Sequence, residues 1–188
     1  MLHPLTEYGK WVEITGYQNI AFAKVEEFLK TNRKETNQTT NIQFFDAQLI
    51  ATHEHLYFAA LNALQAFQNK TNVSKSLAME TMLFASAQRQ IQKAIQHSGI
   101  KPQTTNMAVI IIGESQTQIQ TLIESVTACI GAHPDERVLE ISESKEHKIK
   151  EAYQIADEEI RTIMKNGEEK KAIVDLVIER VALLSTQL

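Results

Sequence analysis

Six consecutive apolar residues, Met107–Ile112 (MAVIII), lie between the polar stretch Thr104–Asn106 and Gly113. The run is too short for a helix of ordinary length and is bounded by turn residues, so it reads as a buried strand. A strand without a polar face needs cover from other elements. The segments around it supply helices rather than hairpin partners.

Glu7–Gly16 alternates roughly, with Tyr8, Trp11 and Ile14 as its bulky positions, and reads as a strand or strand pair. Ala21–Thr31 is amphipathic, with Phe22, Val25, Phe28 and Leu29 at helical spacing. Residues 31–41 carry no apolar side chain and read as a solvated loop. Ile42–Ala47 is a short strand. Thr52 caps a helix running to about Asn69, with Leu56, Ala59, Ala60, Ala63, Leu64 and Phe67 inward. Ser76 caps a helix ending near Ala85, with Glu80 close to its first turn. Met79, Met82, Leu83 and Phe84 read as core. Ser86 starts a further helix, Ala87–Ser98, closed by Gly99. After Met107–Ile112, Gly113 turns the chain and Ser115 caps a helix to about Ile130. Val138–Ile141 is a short edge strand. Helices follow from Ser142 or Ser144, and a last one runs from Glu168 to about Thr186. Strands separated by helices predict an α/β fold: a single domain over residues 1–188, with a small mixed sheet of about four strands flanked by helices.

Hydrophobic residues make up 43% of the 188, enough for a buried core. The longest apolar run is far short of the ~20 residues of a membrane span. The segment MLHPLTEYGK lacks the basic head and apolar stretch of a signal peptide. One cysteine, Cys129, excludes an intramolecular disulfide and suits a reducing compartment, so the expected location is the cytoplasm. Cys129 falls at helical spacing with Ile123 and Val126, as a packing residue does. The net charge of −4 argues against a general nucleic-acid coat. Residues 66–105 depart from this: Lys70, Lys75, Arg89, Lys93 and Lys101 stand against the single acid Glu80. A basic segment on an acidic chain points to one anionic ligand site.

Catalytic and cofactor motifs are missing. There is no GxxxxGK[ST] and no GxGxxG. Gly113-Glu114-Ser115 follows a strand and precedes a helix, a geometry that serves either as a plain turn or as an anion cradle. In His53-Glu54-His55, the two imidazoles point about 200° apart on a helix and cannot share an ion. No metal and no cofactor is therefore expected.

Two segments carry more information. In Ser86–Gly99 (SAQRQIQKAIQHSG), Ile91, Ala94 and Ile95 form one stripe, and Arg89, Lys93 and Gln96 the opposite one. A helix starting at Ser86 would set free backbone N–H groups beside Arg89. This face is either a phosphate or carboxylate site or a solvated surface. In the last helix, apolar residues from Ala172 to Leu184 cover most of the circumference. A surface helix needs an apolar stripe only a little over ~100° wide. The surplus implies either a central helix or a partner, and a terminal position favours the partner.

The same segments carry a resemblance. Met79-Glu80, Ala85-Ser86, Gln88-Arg89-Gln90-Ile91, Ala94-Ile95 and Gly99 resemble the signature of the small kinase-binding subunit of KEOPS, the PRPK-binding protein family in its archaeal form. Val138-Leu139-Glu140-Ile141 and Glu179-Arg180-Val181-Ala182-Leu183 extend the likeness over about residues 42–185. Phe84 and residues 157–170 depart from it.

The resemblance implies a non-catalytic subunit. Its expected partners are the small atypical kinase/ATPase of KEOPS, which it binds and stimulates, and tRNA, which it recruits by the 3′ CCA end for threonylcarbamoyl-adenosine formation. Contact with the transferase subunit would be indirect. The expected tRNA-binding residues are Lys75, Ser86, Gln88, Arg89 and Lys93. The expected kinase-binding residues are Val177, Val181 and Leu184. Two alternatives stand beside this reading: a kinase-binding regulator that does not bind RNA, and a small-molecule enzyme or nucleotide binder at the Gly113–Ser115 turn.

Overall fold

The run Met107–Gly113 is a strand whose seven residues are all buried, as its unbroken apolar sequence requires. The computed structural model describes residues 2–32 and 40–186. These group into two compact units, residues 1–47 with 100–138 and residues 48–99 with 139–188. The first unit holds strands β1 (Leu2–Leu5), β2 (Lys10–Tyr17), β3 (Thr40–Asp46) and β4 (Met107–Gly113), with helices α1 (Phe22–Asn32) and α5 (Gln116–Ile130). The second holds α2 (His53–Asn69), α3 (Leu77–Ala85), α4 (Ile91–Ser98), α6 (Glu143–Ala152), α7 (Asp157–Ile163) and α8 (Glu169–Leu183).

The expected α/β class with four strands and flanking helices is what forms. Its sheet, however, is antiparallel at every pairing rather than mixed, in the order β1-β2-β4-β3. A short 3-10 turn at Thr6–Tyr8 and Gly9, at φ 60°, join β1 to β2 as a hairpin. The connection through α1 leaves a gap between β2 and β3. β4 fills it, running opposite to both, with Ile14 across from Ile110 and Phe44 across from Val109. Order along the chain could not reveal this insertion. On one face Tyr17, Phe44, Met107, Val109 and Ile111 pack with Val25 and Phe28 of α1 and with Ile119 and Val126 of α5. Cys129 packs at the edge of this cluster. Leu29, expected inward, is exposed.

Gly16 allows a close approach. A Cβ there would lie 2.7 Å from Val138 Cβ and 2.8 Å from the Asp135 carbonyl oxygen. The Asp135 amide donates to the Gly16 carbonyl at 2.8 Å. The segment after it is a 3-10 turn, Glu136–Leu139, and not the edge strand expected at Val138–Ile141. Of the expected 31–41 loop, Thr31 belongs to α1 and Thr40 and Asn41 to β3, while residues 33–39 lie outside the described residues.

In the helical unit, α8 is central. Ala172, Ile173, Val174, Leu176, Val177, Val181 and the following Leu184 are buried, and α8 packs on α2, α3, α6 and α7. This corrects the expectation of a partner-facing surplus. Only Asp175, Glu179, Ala182 and Leu183 are exposed beyond the first turn, a strip of about 100° at 3.6 residues per turn. Three helices of this unit stop on non-glycine residues in the left-handed region: Lys70, Ala87 and Gln154. In each case the residue's amide and the next one bond back to the last helical turn, as with Gln88 N to Leu83 O at 3.0 Å and Ala87 N to Phe84 O at 2.9 Å.

Candidate functional site

Ser86 does not start a helix. It ends α3, with its hydroxyl donating to Met82 O at 2.8 Å, and it is buried. The chain then turns through Ala87, and α4 begins only at Ile91, capped by Gln90 without a side-chain bond. The expected N–H groups at Ser86 are therefore used up in the helix stop. The expected inward stripe of α4 is also corrected: Ala94 is buried, whereas Ile91 and Ile95 are exposed. Gly99 closes α4 in extended conformation, at φ −70°.

A pocket of about 330 Å³ opens in the helical unit between α2, α3, the Thr71–Ser74 loop and the residues that follow α8. Of the five residues expected to bind tRNA, only Arg89 lines it. Lys75 and Lys93 are exposed elsewhere, and Gln88 is half-buried outside it. Arg89 is exposed and, among the described residues, is the one cation lining the pocket. Ala66, Leu83, Phe84 and Leu184 give the pocket an apolar surface. Leu184, expected to meet a kinase, is thus part of this lining. Val177 and Val181, expected there too, are fully buried within the unit.

Part of the lining was not legible in the sequence. Asn62, Gln65 and Asn69 line the pocket from α2, and their i, i+3, i+7 spacing sets them within about 60° of arc. The signal was present as a polar stripe beside the apolar one, but stripes of this kind occur on every surface helix. Glu80 is buried, and its carboxylate accepts from Val73 N at 3.1 Å and Ser74 N at 2.6 Å. It thereby fixes the loop that forms a third wall. Charge-assisted bonds of this type are roughly twice as strong as neutral ones.

The His53-Glu54-His55 segment serves the fold. His55 is completely buried; its Nδ1 accepts from Ala51 N at 3.2 Å and its Nε2–H donates to Ala85 O at 2.8 Å. Tyr153 Oη reaches the same carbonyl at 2.8 Å. Two side chains thus satisfy a carbonyl that the end of α3 leaves open. Burial pushes the His55 imidazole down to about 4, so it is neutral, and Lys145 adds to that shift. Burial raises the Tyr153 phenol. Among the described residues no group of three or more His, Cys, Asp or Glu is placed to hold a metal ion. At the Gly113 turn, Glu114 pairs with Lys10 at 3.3 Å, which sets an acid where an anion would bind. Among the described residues no helix is long and apolar enough to cross a membrane.

Residues 17–185 match the family model described as kinase binding protein CGI-121. The chain is also 31% identical over 147 residues to the regulatory protein Cgi121 of Methanocaldococcus jannaschii, covering 78% of this chain and 92% of that one. The match spans both units and includes every residue of the pocket. The chain belongs to the kinase-binding CGI-121 family.

Proposed function

We propose that this protein is a non-catalytic KEOPS subunit that binds and stimulates the complex's small kinase/ATPase and holds the unpaired 3′ end of tRNA in the α2–α3 pocket. The observation that carries the RNA part is the pocket itself: one exposed arginine, an apolar surface and a wall of carboxamides, on a chain of net charge −4. A chain with that charge repels a long duplex except where a local cation offsets it. Unpaired bases stack on apolar side chains and bond through their edges, while their phosphates take a cation. Arg89 is the cation in place for that contact. Kinase binding follows from the family. The exposed strip of α8, with Leu183 among Asp175 and Glu179, is the part of that helix available to a partner. Contact with the transferase subunit is indirect, through the kinase.

The test is filter binding of the isolated protein to intact tRNA and to the same tRNA lacking its CCA end. Binding is expected to fall at least tenfold without the end, and Arg89→Glu to weaken binding of the intact tRNA several-fold. Arg89 has no ion pair among the described residues, so the melting temperature of that variant should stay within about 1 °C of wild type. Equal binding of both tRNAs would leave a kinase-binding regulator without an RNA site. Leu183→Glu is expected to reduce co-purification with the kinase; full retention would place the contact elsewhere.

A further inference from the structure

We propose that Tyr153 is a positioning residue for Arg89: it holds the turn between α3 and α4 in the conformation that sets the guanidinium at the pocket. This rests on the RNA reading of Arg89 above and adds the device that aims it.

The last turn of α3 leaves four carbonyls without a partner inside the helix. Met82 O accepts from Ser86 N at 3.0 Å, Phe84 O from Ala87 N at 2.9 Å, and Leu83 O from Gln88 N at 3.0 Å. The fourth, Ala85 O, accepts from side chains of two other segments. His55 donates to it from α2 at 2.8 Å, and Tyr153 Oη, just after α6, reaches it at 2.8 Å. Both side chains are buried. Two donors arriving from different elements fix the direction of this carbonyl. Because a peptide is planar, they fix the orientation of the whole Ala85–Ser86 unit.

The next turn needs that support. Ala87 sits at φ 50°. A Cβ crowds the backbone there, and such a conformation persists only where its surroundings over-determine it. Arg89 follows two residues later, before α4 begins at Ile91. A different turn at Ala87 would therefore swing Arg89 away from the pocket it lines. Tyr153 also steadies the far end of the same stretch. Its ring meets His97 of α4 edge-on, with centroids 5.2 Å apart at 74°, and His97 Nε2 bonds to Ala152 O at 3.2 Å. One side chain thus touches both ends of the segment that carries Arg89. A backbone held in this way reduces the ordering that an exposed arginine must undergo to meet a phosphate.

The experiment titrates intact tRNA against wild type and four variants, each well below its melting transition. The variants are Tyr153→Phe, Arg89→Gln, their double variant, and Tyr153→Phe/Ala87→Gly. Tyr153→Phe keeps the ring and is expected to weaken binding about threefold, and Arg89→Gln about fivefold, the scale of one phosphate contact. The double variant is expected to bind no more weakly than Arg89→Gln, because Tyr153 acts through Arg89. Ala87→Gly is expected to rescue Tyr153→Phe to within about twofold of wild type, since glycine adopts φ 50° without strain. A residue that only stabilised the core would show neither the non-additivity nor the rescue. Ala87→Gly alone should melt higher than wild type; a lower melting temperature would mean that the turn needs no support and overturns the proposal. So does an additive loss in the double variant, or Tyr153→Phe binding like wild type while Arg89→Gln is weakened. In those cases the RNA reading survives. Arg89→Gln binding like wild type overturns the RNA role of Arg89 and this proposal together.

Discussion

Protonating His55 should cost the protein a measurable share of its stability. The imidazole is buried, neutral and bonded at both nitrogens, with its titration pushed from 6.5 down to about 4. In the unfolded chain it takes up a proton below about pH 6.5. Between pH 6.5 and 4 the unfolded state therefore binds more protons than the folded one. Stability falls as the pH drops through that window and levels off below it. A shift of this size, at about 1.4 kcal/mol per pH unit, amounts to roughly 3 kcal/mol. Against a typical domain stability of about 5–15 kcal/mol this is large. The assay is urea unfolding followed by circular dichroism at pH 7.5 and 4.5, on wild type and His55→Gln. The variant loses stability at pH 7.5, by about 1–3 kcal/mol, because the Ala51 amide and the Ala85 carbonyl lose part of their bonding. Its further loss on acidification should be smaller than that of wild type by about 2–3 kcal/mol. The other five histidines and the carboxylates are common to both proteins and cancel in the difference. Parallel pH curves within about 0.5 kcal/mol would refute the reasoning and show that His55 is protonated in the fold or hydrated.

Two further substitutions test the backbone. Gly16→Ala should destabilise the sheet unit by about 2–3 kcal/mol, because the new methyl meets Val138 Cβ and the Asp135 carbonyl below contact distance; a thermal melt checks it. Gln154→Gly should stabilise by about 0.5–1 kcal/mol, since Gln154 is exposed at φ 52°, where only glycine sits without strain; a rise in urea midpoint at constant slope is the expected readout.

The elements were largely legible because their signals are local. Thr52 and Ser76 begin α2 and α3 as expected, each accepting an amide bond from the first turn. The apolar run at Met107 gave β4. What failed depended on tertiary neighbours. The helix after α3 begins four residues later than the sequence suggests, because a serine that ends a helix looks the same as one that begins it. A left-handed stop on Ala87 carries no glycine to announce it. The all-round apolar character of α8 admitted two readings, and position along the chain favoured the wrong one. Among the residues lining the pocket, Arg89 is legible in the sequence by its charge. The carboxamides of α2 are not, because Asn62, Gln65 and Asn69 stand out from any other polar stripe only once the fold brings them into one pocket with Leu83, Phe84 and Glu80.

The central place of α8 also bears on how the helical unit is made. Helices α2, α3 and α4 emerge first, and residues 100–168 intervene before α8 follows. Until then the faces of α2 and α3 that α8 will cover have no permanent cover from it. Chains fold largely in the order of synthesis, and exposed apolar helices at that stage are prone to associate wrongly. Contacts this distant in sequence also slow closure. A nascent chain halted after α4 should therefore hold secondary structure without a settled core, and should bind chaperones that recognise apolar helices until translation reaches Leu184.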